Sequence, residues 1–371
     1  MLKLYRRTRL GGVLLALLLN VGAMAADVDR LTQPLQIDAQ AIDAHLNQWL
    51  QARQIPGAAL AIVERGEVRL LRSYGLANVE HQVPVRPETV FQSGSVGKQM
   101  TAVAVMLLVQ DGKLKLDDKL ARHLPQAPAS WRNMTVRHLL THTSGLPGDW
   151  PEKFDYRRDY SEPELARYIM GMPLQAKPGE RWQYSNPGYV LLGVLVSKLA
   201  GQFYGDFLQQ RVFVPLGMDT ARVISERDIV PHRAAGYQLI DGRLKNQDWV
   251  SPTLNTTADG SLYVGLQDMI KWDASLRNAT LLAPEHLAEL WQPVRLNNGK
   301  RHPYGLGWEL GRRSGREWLY HDGAWQGFES YAARYRDGGL SLVVLLNRSD
   351  ADVVDLAEGL MKLLEPAATT P

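Results

Sequence analysis

Strand-like runs occupy both ends of this chain, while its long middle carries mostly helical patterns, and that distribution is what most restricts the fold. Near the start, Ala58–Val63 and Val68–Tyr74 are joined by Glu64-Arg65-Gly66-Glu67, which reads as a hairpin. Past residue 300 come Tyr304–Leu310, Glu317–Tyr320, Phe328–Arg334 and Leu340–Leu346, all apolar or alternating. Helical spacing at Ile42, Leu46, Trp49 and Leu50 precedes the first run, and Val353, Leu356, Leu360 and Leu364 follow the last. Between them, residues 96–111 form an almost wholly apolar helix, buried on most sides, and Pro187–Leu199 form another, ending at Gly201. Ser161 with Glu164 reads as a capping box, and Leu266, Met269 and Ile270 mark a further helix. Strands at both ends imply one antiparallel sheet assembled from both termini and flanked by terminal helices. The mostly helical middle then packs beside it as an insertion, an α+β arrangement rather than alternating parallel units.

Residues 1–25 read as an export signal: a basic start, an apolar stretch from Leu10 to Leu19, and small residues ending Ala23-Met24-Ala25. The apolar stretch is short for a membrane span, which needs roughly 20 apolar residues. Cleavage after Ala25 leaves residues 26–371 as one domain without a stable membrane anchor. Its sheet comes from about 38–80 and 300–364, and its helical region from about 81–299. The location expected is periplasmic or secreted. The chain's formal charge of +3 also comes from the leader; without it, 38 basic residues face 39 acidic ones. A net charge of −1 gives no electrostatic case for nucleic acid. The absence of Cys excludes a lipoprotein anchor, disulfides and a thiol nucleophile.

The candidate chemistry is sparse. No His-Glu-x-x-His occurs and the nine His residues are scattered, so no metal site and no cofactor are expected. Gly94-Ser95-Val96-Gly97-Lys98 lacks the earlier Gly of a phosphate loop, and Gln99 stands where Ser or Thr would bind magnesium. No Gly-x-Ser-x-Gly elbow occurs. What remains is Ser95-Val96-Gly97-Lys98, the one Ser-x-x-Lys, at the start of the apolar helix. A spacing of three puts both side chains on one helical face, and the helix N-terminus favours negative charge developing at Ser95. A lysine withdrawn from water loses its proton more easily and can deprotonate the serine. The ordinary alternative is an N-capping serine beside a solvated lysine, and it suffers because Lys98 leads into a buried helix.

Two further motifs are each unique in the chain: Tyr184-Ser185-Asn186, in the loop before Pro187, and His321-Asp322-Gly323, at a strand end. In this order the three resemble the serine β-lactamase and penicillin-binding-protein superfamily, particularly its class C-like branch. Asp111-Gly112-Lys113-Leu114, the stretch Leu139-Leu140-Thr141-His142-Thr143-Ser144-Gly145-Leu146-Pro147, and Tyr304-Gly305-Leu306-Gly307-Trp308 resemble that branch as well. The resemblance spans roughly residues 38 to 364.

The resemblance implies a β-lactamase/transpeptidase-like fold and a serine hydrolase working through an acyl-enzyme. Ser95 is then the nucleophile, Lys98 and Tyr184 share the proton work, and which of the two is the acylation base stays open. Asn186 would bond Lys98 and the substrate's acyl-side amide. His321 and Gly323 would line the strand edge that receives substrate, with His321 partly charged and a weak carboxylate anchor. The backbone N–H groups of Ser95 and Ala324 would form the oxyanion hole. Trp150, Trp325 and Phe328 neighbour these motifs and are candidate cleft residues; His142 and Ser144 are assigned to a structural turn. Asp322 takes the place of a strand threonine found in many relatives. Facing the cleft, it would repel a substrate carboxylate and favour a cationic amine or a neutral ester; strand alternation would equally turn it away.

The substrate expected is a small molecule or peptide, including cell-wall-derived ones. A D-amino-acid peptide or amide, or a short acyl ester, fits best, with weak β-lactamase activity at most. A class C-like β-lactamase or DD-carboxypeptidase is the alternative within the class. A non-catalytic cell-wall-peptide-binding or regulatory protein is the alternative outside it, and a metal-dependent amidase is disfavoured by the scattered histidines.

Overall fold

A computed structural model of the chain describes residues 35–223 and 227–365. The expected export signal lies outside those residues. All the elements below belong to the unit from Asp38 onward.

The hairpin is β1 (Gly57–Glu64) and β2 (Glu67–Asn78). It turns through Arg65 and Gly66, both at positive φ, as a two-residue hairpin turn demands. The short β3 (Val83–Pro84) follows on the edge. From the far end of the chain come β4 (Glu309–Arg313), β5 (Arg316–Trp325), β6 (Phe328–Tyr335) and β7 (Leu340–Leu346). They join into one seven-stranded antiparallel sheet in the order β4-β5-β6-β7-β1-β2-β3. The chain's two ends meet where β1 pairs with β7, from Ala58 opposite Leu346 to Glu64 opposite Leu340. Both strands are buried throughout, which explains their unbroken apolar runs.

Helix α1 (Ala39–Ala52) lies against the closing helix, where Trp49 Nε1 donates to Asp355 at 2.9 Å. The insertion holds α2 (Lys98–Gln110), α3 (Asn186–Ala200) and α4 (Leu266–Arg277); the closing helix, α5, is Val353–Leu364. The opposite faces of the sheet show in β6. Arg334 reaches α4, donating to Asp273 Oδ1 at 2.9 Å, whereas Tyr335, one residue on, donates to Glu365 just past α5. The capping box at Ser161 forms as expected, Glu164 accepting from the Ser161 N–H at 2.9 Å.

Two expectations need correction. The apolar segment from residue 96 does not begin as α-helix: Gly94–Gly97 is a tight 3-10 turn, and α2 starts at Lys98. Tyr304–Trp308 is a loop rather than a strand, and β4 begins at Glu309. Gly307 sits there at φ 76°, and a Cβ on it would stand 2.7 Å from the Lys98 carbonyl. Apolar content alone made that loop look like a strand; its work is to pass closely over the start of α2.

Candidate active site

Ser95 lies in the 3-10 turn and is the single partly exposed residue between Val90 and Leu108. Lys98 opens α2 with a fully buried side chain. Its Nζ stands 2.9 Å from Ser95 Oγ and 2.9 Å from Asn186 Oδ1, and also bonds the Asp259 carbonyl. Asn186 is held in place because Ser185 caps α3, accepting from Gly188 N–H, while Asn186 N–H donates to Gly148 at 2.8 Å. Burial lowers the Lys98 pKa to about 8, against the opposing pull of Asp259, Asp149 and Asp322.

The donor set orients the amine. A neutral amine has two N–H donors and one lone pair. The Asp259 carbonyl can only accept, and so can the Asn186 carbonyl oxygen. With both N–H groups spent there, the lone pair is left for the Ser95 hydroxyl hydrogen.

Tyr184 closes the other side, its ring centroid 4.9 Å from Lys98 Nζ. Its hydroxyl is buried beside Ser95 without a hydrogen bond of regular geometry. Burial drives its pKa well above the ordinary value, and the Ser95 hydroxyl opposes that rise. Neighbouring carboxylates, Asp322 and Asp259, push it further in the same direction.

The third wall is β5. Only Arg316–Tyr320 pair with β4, so among the described strands the stretch His321–Trp325 is paired on one side alone, with β6. Beside that free edge, the face of the sheet at Gly323 lies against the nucleophile turn. A Cβ on Gly323 would stand 2.4 Å from Ser93 O and 2.7 Å from Ser95 N, and one on Gly94 would stand 2.5 Å from Ala324 N. Glycine at both positions lets the two backbones close up, bringing the N–H groups of Ser95 and Ala324 to one place. The Ser330 hydroxyl fixes this contact by bonding the Ser93 carbonyl.

Ser95, Lys98, Tyr184, Asn186, Gly323 and Ala324 therefore converge, and the remaining candidates separate. His321 is 2% exposed and both its nitrogens are engaged: Nδ1 with the Asp322 carbonyl at 2.6 Å and Nε2 with Tyr304 Oη at 3.0 Å. Burial and the nearby Lys98 lower its pKa to about 4, so it is neutral and presents no free nitrogen to a substrate. This corrects the expected partly charged anchor. Asp322 pairs across the sheet with Tyr331 and shares the face of Tyr320 and Tyr331, opposite to that of His321. Alternation turns it from the cleft, and it reaches Lys98 only through its field.

Phe328 is 2% exposed and meets Phe91 edge-on, a core residue rather than a cleft wall. Trp150 is partly buried, stacked on Phe154 at 4.2 Å and two residues from the Gly148 carbonyl that holds Asn186. Trp325 is half-buried and donates to Asn255 at 2.6 Å.

Sequence reasoning missed Asp259, whose carbonyl orients Lys98. Burial raises its carboxyl above the usual range, Lys98 opposing. Its one signal was Gly260, at φ 140° beside Ser95 N. His142 was assigned to the turn, yet its ring packs on Tyr184 at 4.1 Å. No group of three or more metal-ligating side chains with suitable geometry occurs among the described residues.

Comparison with known proteins is consistent with this geometry. The Beta-lactamase family model matches residues 39–364. The chain is similar to penicillin-binding protein 4* of Bacillus subtilis (strain 168), 31% identical over 318 residues, 81% of this chain and 70% of that protein. It is also similar to a D-aminopeptidase of Gluconobacter oxydans (strain 621H), 30% identical over 328 residues, 85% of this chain and 61% of the relative. It thus spans about two thirds of the length of these relatives. Among solved structures, D-amino acid amidase from Ochrobactrum anthropi SV3 complexed with L-phenylalanine amide aligns with a TM-score of 0.75 at 27% identity. That alignment covers 87% of this chain and 97% of the amidase.

Proposed function

The chain belongs to the beta-lactamase family, and on that premise we propose that it is a serine hydrolase that forms an acyl-enzyme at Ser95. The observation that carries this reading is the buried Lys98 amine, 2.9 Å from Ser95 Oγ and with its pKa lowered to about 8. Neutral Lys98 takes the hydroxyl proton as Ser95 Oγ bonds the substrate carbonyl carbon. Negative charge passes to the carbonyl oxygen, held by the N–H groups of Ser95 and Ala324. Removing one such donor typically costs about 2.7–4 kcal/mol of transition-state stabilisation.

As the tetrahedral intermediate collapses, the bond to the leaving nitrogen or oxygen breaks and that atom needs a proton. Tyr184, kept protonated by burial, gives its own and regains one from the Lys98 ammonium. Water then attacks the acyl carbon with Lys98 again as base; the bond from that carbon to Ser95 Oγ breaks, the Lys98 ammonium returns its proton to Ser95, and the free acid leaves. The opposite directions of the two pKa shifts favour lysine over phenol as the acylation base.

Substrate class follows from what the cleft lacks. With His321 neutral and internally bonded, the strand edge offers no imidazolium to anchor a terminal carboxylate. This favours D-aminoacyl amides, peptides engaged away from their carboxyl end, or short acyl esters, and it disfavours efficient β-lactam turnover. The names of the Gluconobacter and Ochrobactrum proteins support the amide reading. Export through residues 1–25 to a periplasmic or secreted location belongs to the same proposal.

The test is intact-protein mass spectrometry with D-aminoacyl amides, short esters, penicillins and a fluorophosphonate. The proposal requires a covalent adduct that disappears in Ser95→Ala. Absence of any adduct on the parent protein would favour a binding role instead, and efficient cephalosporin turnover without amide or ester turnover would overturn the substrate assignment.

A further inference from the structure

Behind Tyr184 runs a buried chain of hydrogen bonds that the catalytic steps do not use. Ser185 N–H donates to His142 Nδ1 at 3.0 Å. His142 Nε2 lies 3.1 Å from Tyr304 Oη, and Tyr304 Oη lies 3.0 Å from His321 Nε2. His321 Nδ1 ends the chain on the Asp322 carbonyl at 2.6 Å. His142, Tyr304 and His321 are 0%, 1% and 2% exposed, so water does not compete for these bonds.

The two ends fix every proton between them. A backbone N–H can only donate, so His142 Nδ1 must accept, and a neutral His142 carries its hydrogen on Nε2. A backbone carbonyl can only accept, so His321 carries its hydrogen on Nδ1 and accepts at Nε2. Tyr304 then accepts from His142 and donates to His321, which uses its hydroxyl once in each sense. One arrangement satisfies all four links, with the imidazoles as opposite neutral tautomers. An added proton on His142 sets two donors face to face at Ser185. On His321 it sets a second donor on Tyr304 Oη and takes away the acceptor of the Tyr304 hydrogen, which must break from the chain and turn toward Tyr189.

What the chain joins gives it a use. His142 holds the Tyr-x-Asn loop three ways: its carbonyl accepts from Gln183 N–H at 2.8 Å, Nδ1 accepts from Ser185 N–H, and its ring lies on Tyr184. It holds a φ of 56°, a left-handed backbone conformation costly for a non-glycine residue. At the other end, His321 and Asp322 precede Gly323 and Ala324, which supply the strand edge and one oxyanion donor.

We propose that His142, Tyr304 and His321 are positioning residues: a proton-ordered strut, intact only with both imidazoles neutral, that sets Tyr184 and Asn186 against the β5 edge. The groups facing it are Lys98 on α2, Tyr189 on α3, Glu309 on β4, Asp322 on β5, and Tyr184 with Trp182 on the loop. Burial and the Lys98 charge hold both histidines below their ordinary pKa. The catalytic benefit rests on the function proposed above; the proton order does not.

The experiment is nitrogen-15 NMR of histidine-labelled protein, with His142→Asn and His321→Gln used only to assign signals. The expected spectrum shows His142 with its proton on Nε2 and His321 with its proton on Nδ1. Both stay neutral from pH 8 down to about pH 5, below the ordinary imidazole range. Like tautomers, or either ring charged at about pH 6.5, would overturn the strut. Kinetically, Tyr304→Phe should lower the acylation rate about tenfold or more through misplacement of Tyr184, with KM nearly unchanged. An unchanged acylation rate, or a loss confined to KM, would refute the positioning role. Where Tyr304→Phe fails to fold, the parent spectrum alone decides; fluorophosphonate labelling of Ser95 judges the hydrolase reading separately.

Discussion

Replacing Lys98 with methionine should change how the protein's stability depends on pH, as well as its chemistry. The folded pKa of Lys98 is about 8 against an ordinary value of 10.5. Between those values the unfolded chain binds a proton that the folded protein does not, so stability rises with pH across that window. The contribution is fully present above 10.5 and is lost as pH falls toward 8. At about 1.36 kcal/mol per unit, most of roughly 3 kcal/mol appears between about pH 7 and pH 10. The Lys98→Met side chain does not titrate, so subtracting the variant's stability curve from the parent's cancels the other groups. The constant cost of leaving Asn186 Oδ1 and the Asp259 carbonyl without a donor stays in the difference as a pH-independent offset, so its slope alone reports Lys98. Urea melts of both proteins at pH 7, 8, 9 and 10 measure the difference. In the parent, kcat/KM should fall about tenfold per unit below pH 8, because only the neutral amine accepts the Ser95 proton. A stability difference that stays flat from pH 7 to 10 would show that Lys98 keeps an ordinary pKa, and the assignment of the base would fall with it.

Gly323→Ala places a Cβ 2.4 Å from Ser93 O and 2.7 Å from Ser95 N. Separating the strand from the nucleophile turn should cost the oxyanion contact, about a hundredfold in fluorophosphonate labelling rate; labelling at the parent rate would mean the hole lies elsewhere. Asn186→Leu removes one of the two obligate acceptors that aim the Lys98 lone pair. It should lower turnover about tenfold with circular dichroism unchanged, and unaltered turnover would free Asn186 from that role. Asp273→Ala strands the buried Arg334 guanidinium, whose partner stands at 2.9 Å. Chemical denaturation should then show a loss of about 3–5 kcal/mol, and a loss under about 1 kcal/mol would make that pair dispensable.

Much of the fold was legible because sheet and helix signals come from local periodicity. The runs 58–63 and 340–346 proved to be central strands, and their lack of alternation reflects burial on both faces. Helices α1, α3 and α5 fell within a few residues of their apolar spacing. The loop Tyr304–Trp308 was misread because its apolar residues resemble a strand, while its conformation answers to a demand from elsewhere in the chain. Gly307 must pass the Lys98 carbonyl, 209 positions earlier in the sequence. No window of neighbouring residues contains that information.

The same distinction divides the site. Ser95 and Lys98 were readable because a three-residue spacing on a helical turn fixes their relation locally. Asn186 and Gly323 became readable through the resemblance their motifs carry. His321 shows where motif reading stops. Its position was foreseen, but its charge depends on Tyr304, His142 and burial, which the sequence does not relate to one another. Once Tyr304 donates to Nε2 and the Asp322 carbonyl takes the Nδ1 hydrogen, the imidazole has nothing left to offer a carboxylate. A residue read as a substrate anchor thereby becomes part of the scaffold that holds the anchoring strand. The proposed preference for substrates without a carboxylate at that edge then rests on an internal hydrogen bond rather than on any group facing the cleft.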